Sequence, residues 1–152
     1  MDVSLDDPRT PDVVALLSEH LADMYATSPA ESVHALDVDR LAVPSVLFVT
    51  AREDGRLLGC GALKDLGGGH GEIKSMRTAH DARGRGVAAA VLRRLLDEAR
   101  RLGMTRVSLE TGTQEYFAAA VRLYRRHGFV DCGPFGEYVL DPNSRYMTIA
   151  LG

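Results

Sequence analysis

The residues best suited to chemistry lie between a predicted strand and the strongest predicted helix, in the segment 79–88 with the sequence AHDARGRGVA. Gly84 and Gly86 leave room for a ligand to approach the main chain, and they permit dihedral angles that point successive N–H groups inward. The start of the helix adds unpaired N–H groups, and Arg83 and Arg85 add full positive charges. This combination predicts a diphosphate site, although a surface turn with two solvated arginines has the same pattern.

Two general phosphate-binding motifs fit this segment less well. The chain contains no Gly-x-x-x-x-Gly-Lys-Ser/Thr run, which a P-loop requires. The dinucleotide fingerprint Gly-x-Gly-x-x-Gly/Ala does match Gly84, Gly86 and Ala89, and Glu110 ends the next strand, where an acidic ribose ligand would stand. That turn normally follows its strand directly, whereas the predicted strand here ends well before Gly84. We therefore rank a dinucleotide-binding oxidoreductase domain below the interpretation that follows.

A third pattern covers both this segment and a later one. Arg83-x-x-Gly86-x-Ala88 resembles the Arg/Gln-x-x-Gly-x-Gly/Ala signature of the GNAT superfamily of N-acetyltransferases. The segment 123–129, with the sequence LYRRHGF, is similar to the Leu-Tyr-x-x-x-Gly-Phe segment of the same superfamily. The interval between the two holds a helix, a strand and a helix, as in that superfamily. The resemblance therefore extends over nearly the whole chain.

The resemblance implies the fold and the acetyl donor. The expected fold is α/β (mixed α+β), in one acetyltransferase domain spanning 1–152. Its central, mostly antiparallel mixed sheet has six to seven strands and helices on both faces. Acetyl-CoA is the implied co-substrate, without a metal. Its pantetheine arm would pair with the main chain of Met76, Arg77 and Thr78, as an added strand does. Its pyrophosphate would lie on the turn formed by Arg83, Gly84, Arg85, Gly86, Val87 and Ala88.

The resemblance also implies the catalytic residues for direct attack in a ternary complex. Glu72, at the start of the strand before the turn, is the candidate base for the amine, which is otherwise protonated near pH 7. The Met76 N–H, or its neighbour, is the candidate donor to the thioester oxygen. Tyr124 is the candidate acid for the sulfur. The alternatives are a solvated strand-end carboxylate at Glu72 and a core tyrosine at Tyr124.

One position departs from the family pattern. Members often carry Asn seven residues before this tyrosine, where it contacts pantetheine, and here that position is Phe117. Gln114 or Thr111 could replace the contact.

The histidines and cysteines add little to the predicted site. The histidines show no metal-ligand spacing such as His-Glu-x-x-His. His70, close to Glu72, and His34, on the second helix, are candidates for the pocket wall. Cys60 lies in an apolar strand and is expected to be an inert thiol.

Hydrophobic periodicity predicts the elements that position these residues. The predicted helices are Pro11–Tyr25, with Thr10 as N-cap, Ser28–Leu36, Val87–Leu102 and Gln114–Arg126. Asp54-Gly55 predicts a hairpin turn, and the glycine run at 67–71 a flexible break. The predicted strands are Val3–Asp6, Val46–Ala51, Leu57–Leu63, Glu72–Thr78, Thr105–Leu109, Phe129–Val130, Tyr138–Leu140 and Tyr146–Leu151.

Composition limits the classes of partner. The 152 residues carry a formal net charge of -3 and two cysteines, typical of a globular chain in a reducing compartment. We expect a cytoplasmic enzyme without a nucleic-acid or membrane partner, because no signal-like or spanning segment is visible. The favoured acceptor is a primary amine, either a small molecule or an amino acid. A non-catalytic acyl-CoA-binding module is the alternative, and homodimerisation is common among members of the superfamily.

Overall fold

A computed structural model of the chain describes residues 1–33 and 37–152. Within these residues, seven strands form one sheet in the order β1-β2-β3-β4-β5-β7-β6. Among these residues, β4 and β5 are the only neighbours that run parallel. The strands are β1 (Asp2–Leu5), β2 (Val46–Glu53), β3 (Arg56–Gly67), β4 (His70–Thr78), β5 (Arg106–Gly112), β6 (Val130–Cys132) and β7 (Ser144–Ala150).

Helices cover both faces of the sheet. They are α1 (Pro11–Thr27), α2 (Val38–Leu41), α3 (Val87–Arg101) and α4 (Ala118–Arg126). Helices α3 and α4 pack on one face through a core that includes Val91, Leu95 and Leu123. Helices α1 and α2 pack on the other face, where Leu16 and Leu17 meet side chains of β2 and β3. The mixed, mostly antiparallel sheet with helices on both faces is therefore confirmed.

Local sequence signals explain where several elements begin and turn. Asp54 and Gly55 both adopt positive φ, 52° and 81°, as a two-residue type I′ hairpin turn requires. Helix α1 begins with Pro11 at its first position. Thr10 occupies the N-cap position, but its hydroxyl donates to the Asp7 carbonyl oxygen and does not cap the helix. The glycine run forms the tight turn from β3 into β4, where Gly67 pairs with His70.

Three predicted features differ from the structure. The predicted strand Tyr138–Leu140 is wrong, because this stretch is irregular and its Val139 and Leu140 side chains are exposed. Tyr138 turns inward and hydrogen-bonds side chains of β4, and the nearby Pro142 cannot donate to a sheet ladder. The predicted helix Ser28–Leu36 appears as a short 3₁₀ turn, Ala30–Ser32, and residues 34–36 lie outside the described residues. The dinucleotide alternative does not fit a sheet with one parallel pair.

Gly61 allows α3 to pack closely on β3. A Cβ at this position would lie 2.7 Å from Met76 Sδ, 2.8 Å from Val91 Cγ1 and 2.9 Å from a Leu95 methyl carbon. Gly61→Ala should therefore lower the free energy of unfolding by about 1–3 kcal/mol through overpacking, measured by urea denaturation. Gly133→Ala is the control, because a Cβ there would meet nothing within 4 Å. Equal denaturation midpoints for the two variants would contradict the prediction.

Candidate active site

A bulge in β4 divides its side chains between the two faces of the sheet. Ser75 adopts a φ of 56°, and between Lys74 and Arg77 the strand gains one residue relative to Ala62 and Cys60 of β3. Ile73 and Met76 consequently both pack toward α3, while Lys74 and Arg77 lie on the opposite face. The bulge explains why the apolar alternation of this strand is imperfect.

Beyond the bulge, β4 and β5 separate. The two strands pair only from His70–Arg106 to Ile73–Leu109, whereas β5 continues along β7 to Gly112. The separation opens a cavity of about 580 Å³, which we call the cleft, between the second half of β4 and the end of β5. Main chain of Met76 and Thr78 therefore borders an open space, where an extended ligand could add to the strand.

The turn after β4 lies at one end of the cleft and presents free main-chain N–H groups. Gly84 and Gly86 adopt φ of 77° and 78°, and a Cβ on either would meet nothing within 4 Å. The N–H groups of 83–86 donate to no other group among the described residues. Helix α3 starts directly afterwards, and its first N–H groups have no intrahelical acceptor. The turn and the start of α3 therefore have the geometry of an anion-binding site formed by main-chain N–H groups.

Only some of the predicted positive charges line the cleft. Arg83 lines it and forms no ion pair with a described residue. Arg85 instead pairs with Glu53 at 2.8 Å and is not part of the wall. Arg126, at the end of α4, does line the cleft, although the sequence did not predict it as a site residue.

The Arg77 side chain has a structural role on the face of the sheet that α1 covers. Its guanidinium is 3% exposed and donates to Glu19 and Asp23 of α1, at 2.5 Å and 2.7 Å, and to Tyr116 at 3.0 Å. These contacts bind α1 to β4. The main chain of Arg77 stays along the cleft, and main-chain contact is all that the pantetheine hypothesis requires of this residue.

Glu72 lies in the wall of the cleft within a hydrogen-bonded triangle. The residue is 4% exposed, and its Oε2 accepts from Lys74 Nζ at 3.0 Å and from the Tyr138 hydroxyl at 2.5 Å. Lys74 Nζ also donates to the Tyr138 oxygen at 2.9 Å. Burial raises the pKa of Tyr138, and the carboxylate of Glu72 adds to that effect, so Tyr138 remains a donor.

A second carboxyl group, Glu110, faces the same cleft. It stands on β5, two residues beyond Ser108, which pairs with Glu72. Burial raises the pKa of Glu110 to about 7; Lys74 opposes the rise and Glu72 adds to it. From the sequence, the role predicted for Glu110 is only that of a ribose ligand in the dinucleotide alternative. The sequence signal that could have indicated a place for Glu110 in the site is an acidic residue near the end of the strand that follows α3.

Tyr124 also lines the cleft, from α4. It is 6% exposed and packs edge-to-face on Phe129 with ring centroids 5.7 Å apart. Its hydroxyl has no hydrogen-bond partner among the described residues. Burial raises the pKa of Tyr124, so the hydroxyl keeps its proton near neutral pH and is available as a proton donor.

Phe117 is the residue that departs from the family pattern, and it is buried against the end of β5. Its ring fills the space beside Gly112, where a Cβ would lie 2.1 Å from a ring carbon. Thr111 lines the cleft, whereas Gln114 donates to Asn143 Oδ1 at 3.1 Å and is not in the wall. Thr111 is therefore the better placed of the two substitutes.

The remaining candidates contribute little to the wall. His70 lies outside it and hydrogen-bonds Ser108 Oγ at 2.7 Å. His34 falls outside the described residues. Burial raises the pKa of Cys60 to about 12, which leaves the thiol unreactive. In the described part of the chain, no cluster of three or more His, Cys, Asp or Glu side chains could hold a metal ion. None of the described helices is long and apolar enough to cross a membrane.

Comparisons with known proteins agree with this geometry. Residues 13–129 match the model of the acetyltransferase (GNAT) family. The chain is 48% identical to the uncharacterized N-acetyltransferase YedL of Escherichia coli, over 98% of this chain and 94% of that protein. It is 47% identical to the uncharacterized N-acetyltransferase YsnE of Bacillus subtilis, over 99% and 100% of the two chains.

A solved structure shows the same fold. A Klebsiella pneumoniae protein, provisionally described as an acyl-CoA N-acyltransferase, superposes with a TM-score of 0.81 and 26% identity. The alignment covers 99% of this chain and 97% of the other. The motifs, the separated strands and these matches lead to one conclusion: the chain is an acetyltransferase and belongs to the GNAT family.

Proposed function

We propose that this acetyltransferase moves an acetyl group from acetyl-CoA to a small primary amine by direct attack in a ternary complex. The observation that carries the proposal is the cleft itself. Free main-chain groups of β4 border one side, an amide-lined turn lies at one end, and Glu72, Glu110 and Tyr124 share its wall. These are the groups that an acyl transfer to nitrogen needs.

The donor would occupy the open edge of β4 and the turn that follows it. Met76, Arg77 and Thr78 would pair with the pantetheine arm through their main chain. The turn from Arg83 to Ala88 would hold the pyrophosphate, with Arg83 supplying a charge on the cleft side. Arg126 would add a second positive charge. Acetyl-CoA, when bound, supplies the reactive thioester.

The strand would also stabilise the charge that develops during attack. The bulge at Ser75 interrupts the regular alternation just before Met76. We infer that the N–H of Met76, or the adjacent one, donates to the thioester oxygen as that oxygen becomes negative.

Two carboxyl groups are candidates for the base. We infer that Glu110 takes the proton from the attacking amine, because its pKa of about 7 suits proton transfer near neutral pH. Glu72 is the alternative base, and its Oε2 already accepts from Lys74 and Tyr138. Tyr124, in the wall of the same cleft, would give its proton to the departing sulfur as the C–S bond breaks.

The first prediction from this proposal concerns the turn from Arg83 to Ala88. Gly86→Asp should abolish acetyl-CoA binding, measured by titration calorimetry, because it adds bulk and negative charge where the pyrophosphate sits. Gly68→Asp is the matched control. Gly68 also has positive φ and open space around a Cβ, and it lies roughly 25 Å away at the other end of β4. Retained affinity in a folded Gly86→Asp variant would exclude this site.

The second prediction concerns Glu110 and tests the proposed function directly. We expect amine-dependent thiol release whose kcat/KM rises with pH through about 7, as Glu110 loses its proton. Glu110→Gln should lower kcat/KM by roughly 10²–10⁴-fold and remove this inflection. A Glu72→Gln variant that instead removes the inflection would transfer the role to Glu72, and a wild-type protein inactive with every amine tested would overturn the function.

Melting temperatures test the raised pKa of Glu110 independently of catalysis. The folded-state pKa lies above the unfolded value, so ionisation of Glu110 costs stability as the pH rises through about 7. The neutral Glu110→Gln variant does not have this cost. Its melting temperature relative to wild type should therefore increase between pH 5 and pH 8.

The third prediction concerns the acid. Tyr124→Phe should lower kcat with little change in the amine KM, because the hydroxyl acts on the leaving sulfur and not on the acceptor. Steady-state thiol release at saturating acetyl-CoA measures both constants. An unchanged kcat would assign Tyr124 to the core alone.

A further inference from the structure

We propose that the acceptor amine carries no carboxylate next to its amino group, and that Glu72 enforces this selectivity by neutralising Lys74. The inference rests on the proposed function and narrows its acceptor class. Free α-amino acids would thus be poor substrates, whereas the corresponding amines without the carboxylate would be good ones.

A carboxylate on the acceptor would need a cation in the wall of the cleft. Among the described residues, the charged basic groups in the wall of the cleft are Lys74, Arg77, Arg83 and Arg126. A carboxylate that leaves water needs such a partner, because a buried unpaired charge is costly.

Three of these cations are committed elsewhere. Arg77 donates to the carboxylates of Glu19 and Asp23, so two negative charges already pair with its single positive charge. Arg83 belongs to the turn at the donor end of the cleft, and Arg126 ends α4 in the wall of the same cleft. Both are assigned above to the phosphates.

His20, which also lines the cleft, does not supply a further cation. Burial lowers the pKa of His20 to about 4, and nearby Arg77 adds to that effect. The ring is consequently uncharged near pH 7 and offers no full charge to an anion.

Lys74 is the remaining cation among the described residues of the wall, and it is paired with the carboxylate of Glu72. Its side chain is 8% exposed, and Nζ donates to Glu72 at 3.0 Å and to Tyr138 at 2.9 Å. One of its three N–H donors has no partner among the described residues. However, Glu72 already balances its charge, and Glu110 faces the same space.

The resulting charge balance favours a cationic acceptor. With both carboxyl groups ionised, the cluster of Glu72, Lys74 and Glu110 has one surplus negative charge. A monoamine brings one positive charge and neutralises the cluster. An amino acid brings an additional carboxylate to a site where the Lys74 ammonium is already paired with Glu72. That carboxylate would be repelled by the negative charges of Glu72 and Glu110.

The test compares matched substrates that differ by the carboxylate alone, for example phenethylamine with phenylalanine and 3-(methylthio)propylamine with methionine. For wild-type enzyme, kcat/KM from thiol release should favour the amine of each pair by at least tenfold. Because each result is a ratio for one enzyme, a general loss of catalytic power cancels.

Two variants should move this ratio in opposite directions. Glu72→Gln leaves the Lys74 ammonium unbalanced, so relative activity toward the amino acid should rise and the amine preference should fall at least tenfold. Lys74→Met removes the cation and should increase the preference. Lys74→Arg keeps a cation and should stay near the wild-type ratio.

The outcomes separate this inference from the function on which it depends. A wild-type enzyme that prefers the amino acid, or variants that shift the ratio in the same direction, would overturn the inference and leave the acetyltransfer to amines intact. Absence of thiol release with both members of every pair would overturn the proposed function and this inference together.

Discussion

The separation of β4 from β5 is the constraint on which the site depends. Two parallel neighbours in a sheet normally remain paired along their length, since unpaired main-chain groups are costly when buried. Here the pairing ends at Ile73 and Leu109, and the bulge at Ser75 follows immediately. The unpaired edge of β4 is therefore exposed to a cavity and can bind an extended ligand by main-chain hydrogen bonds. The same edge leads directly into the turn at 83–86.

The bulge also determines the electrostatics of the site. By adding one residue to β4, it lets Glu72 and Lys74 occupy one face while Met76 returns to the face of α3. Glu72, Lys74 and Glu110 then gather beside the separated strands. Because these side chains are buried, each charge depends strongly on its neighbours. Burial raises the pKa of Glu110, and the carboxylate of Glu72 balances the positive charge of the Lys74 ammonium group. One irregularity of the backbone thus positions the groups that we propose for donor binding, proton transfer and acceptor selectivity.

Much of the fold follows from local signals. The amphipathic stripe of α3, the Asp54-Gly55 turn and Pro11 at the start of α1 each have a short-range physical cause, and these three features are present in the structure. Prediction was wrong for Tyr138–Leu140, where an apolar run resembles a strand. The alternating pattern could not reveal that the Tyr138 hydroxyl has partners on β4, residues that are distant in the sequence.

The sequence by itself determined the family, the glycine turn before α3 and the positions of Glu72 and Tyr124, because these depend on residue types at fixed spacing along one stretch of chain. Only the tertiary structure decided that Glu110 shares the wall of the cleft with Glu72, that Arg85 turns away to Glu53, and that Lys74 is balanced by a carboxylate. The reason is physical. A charge acts over a few ångströms in space with a strength set by burial, and neither separation nor burial can be read from spacing along the chain.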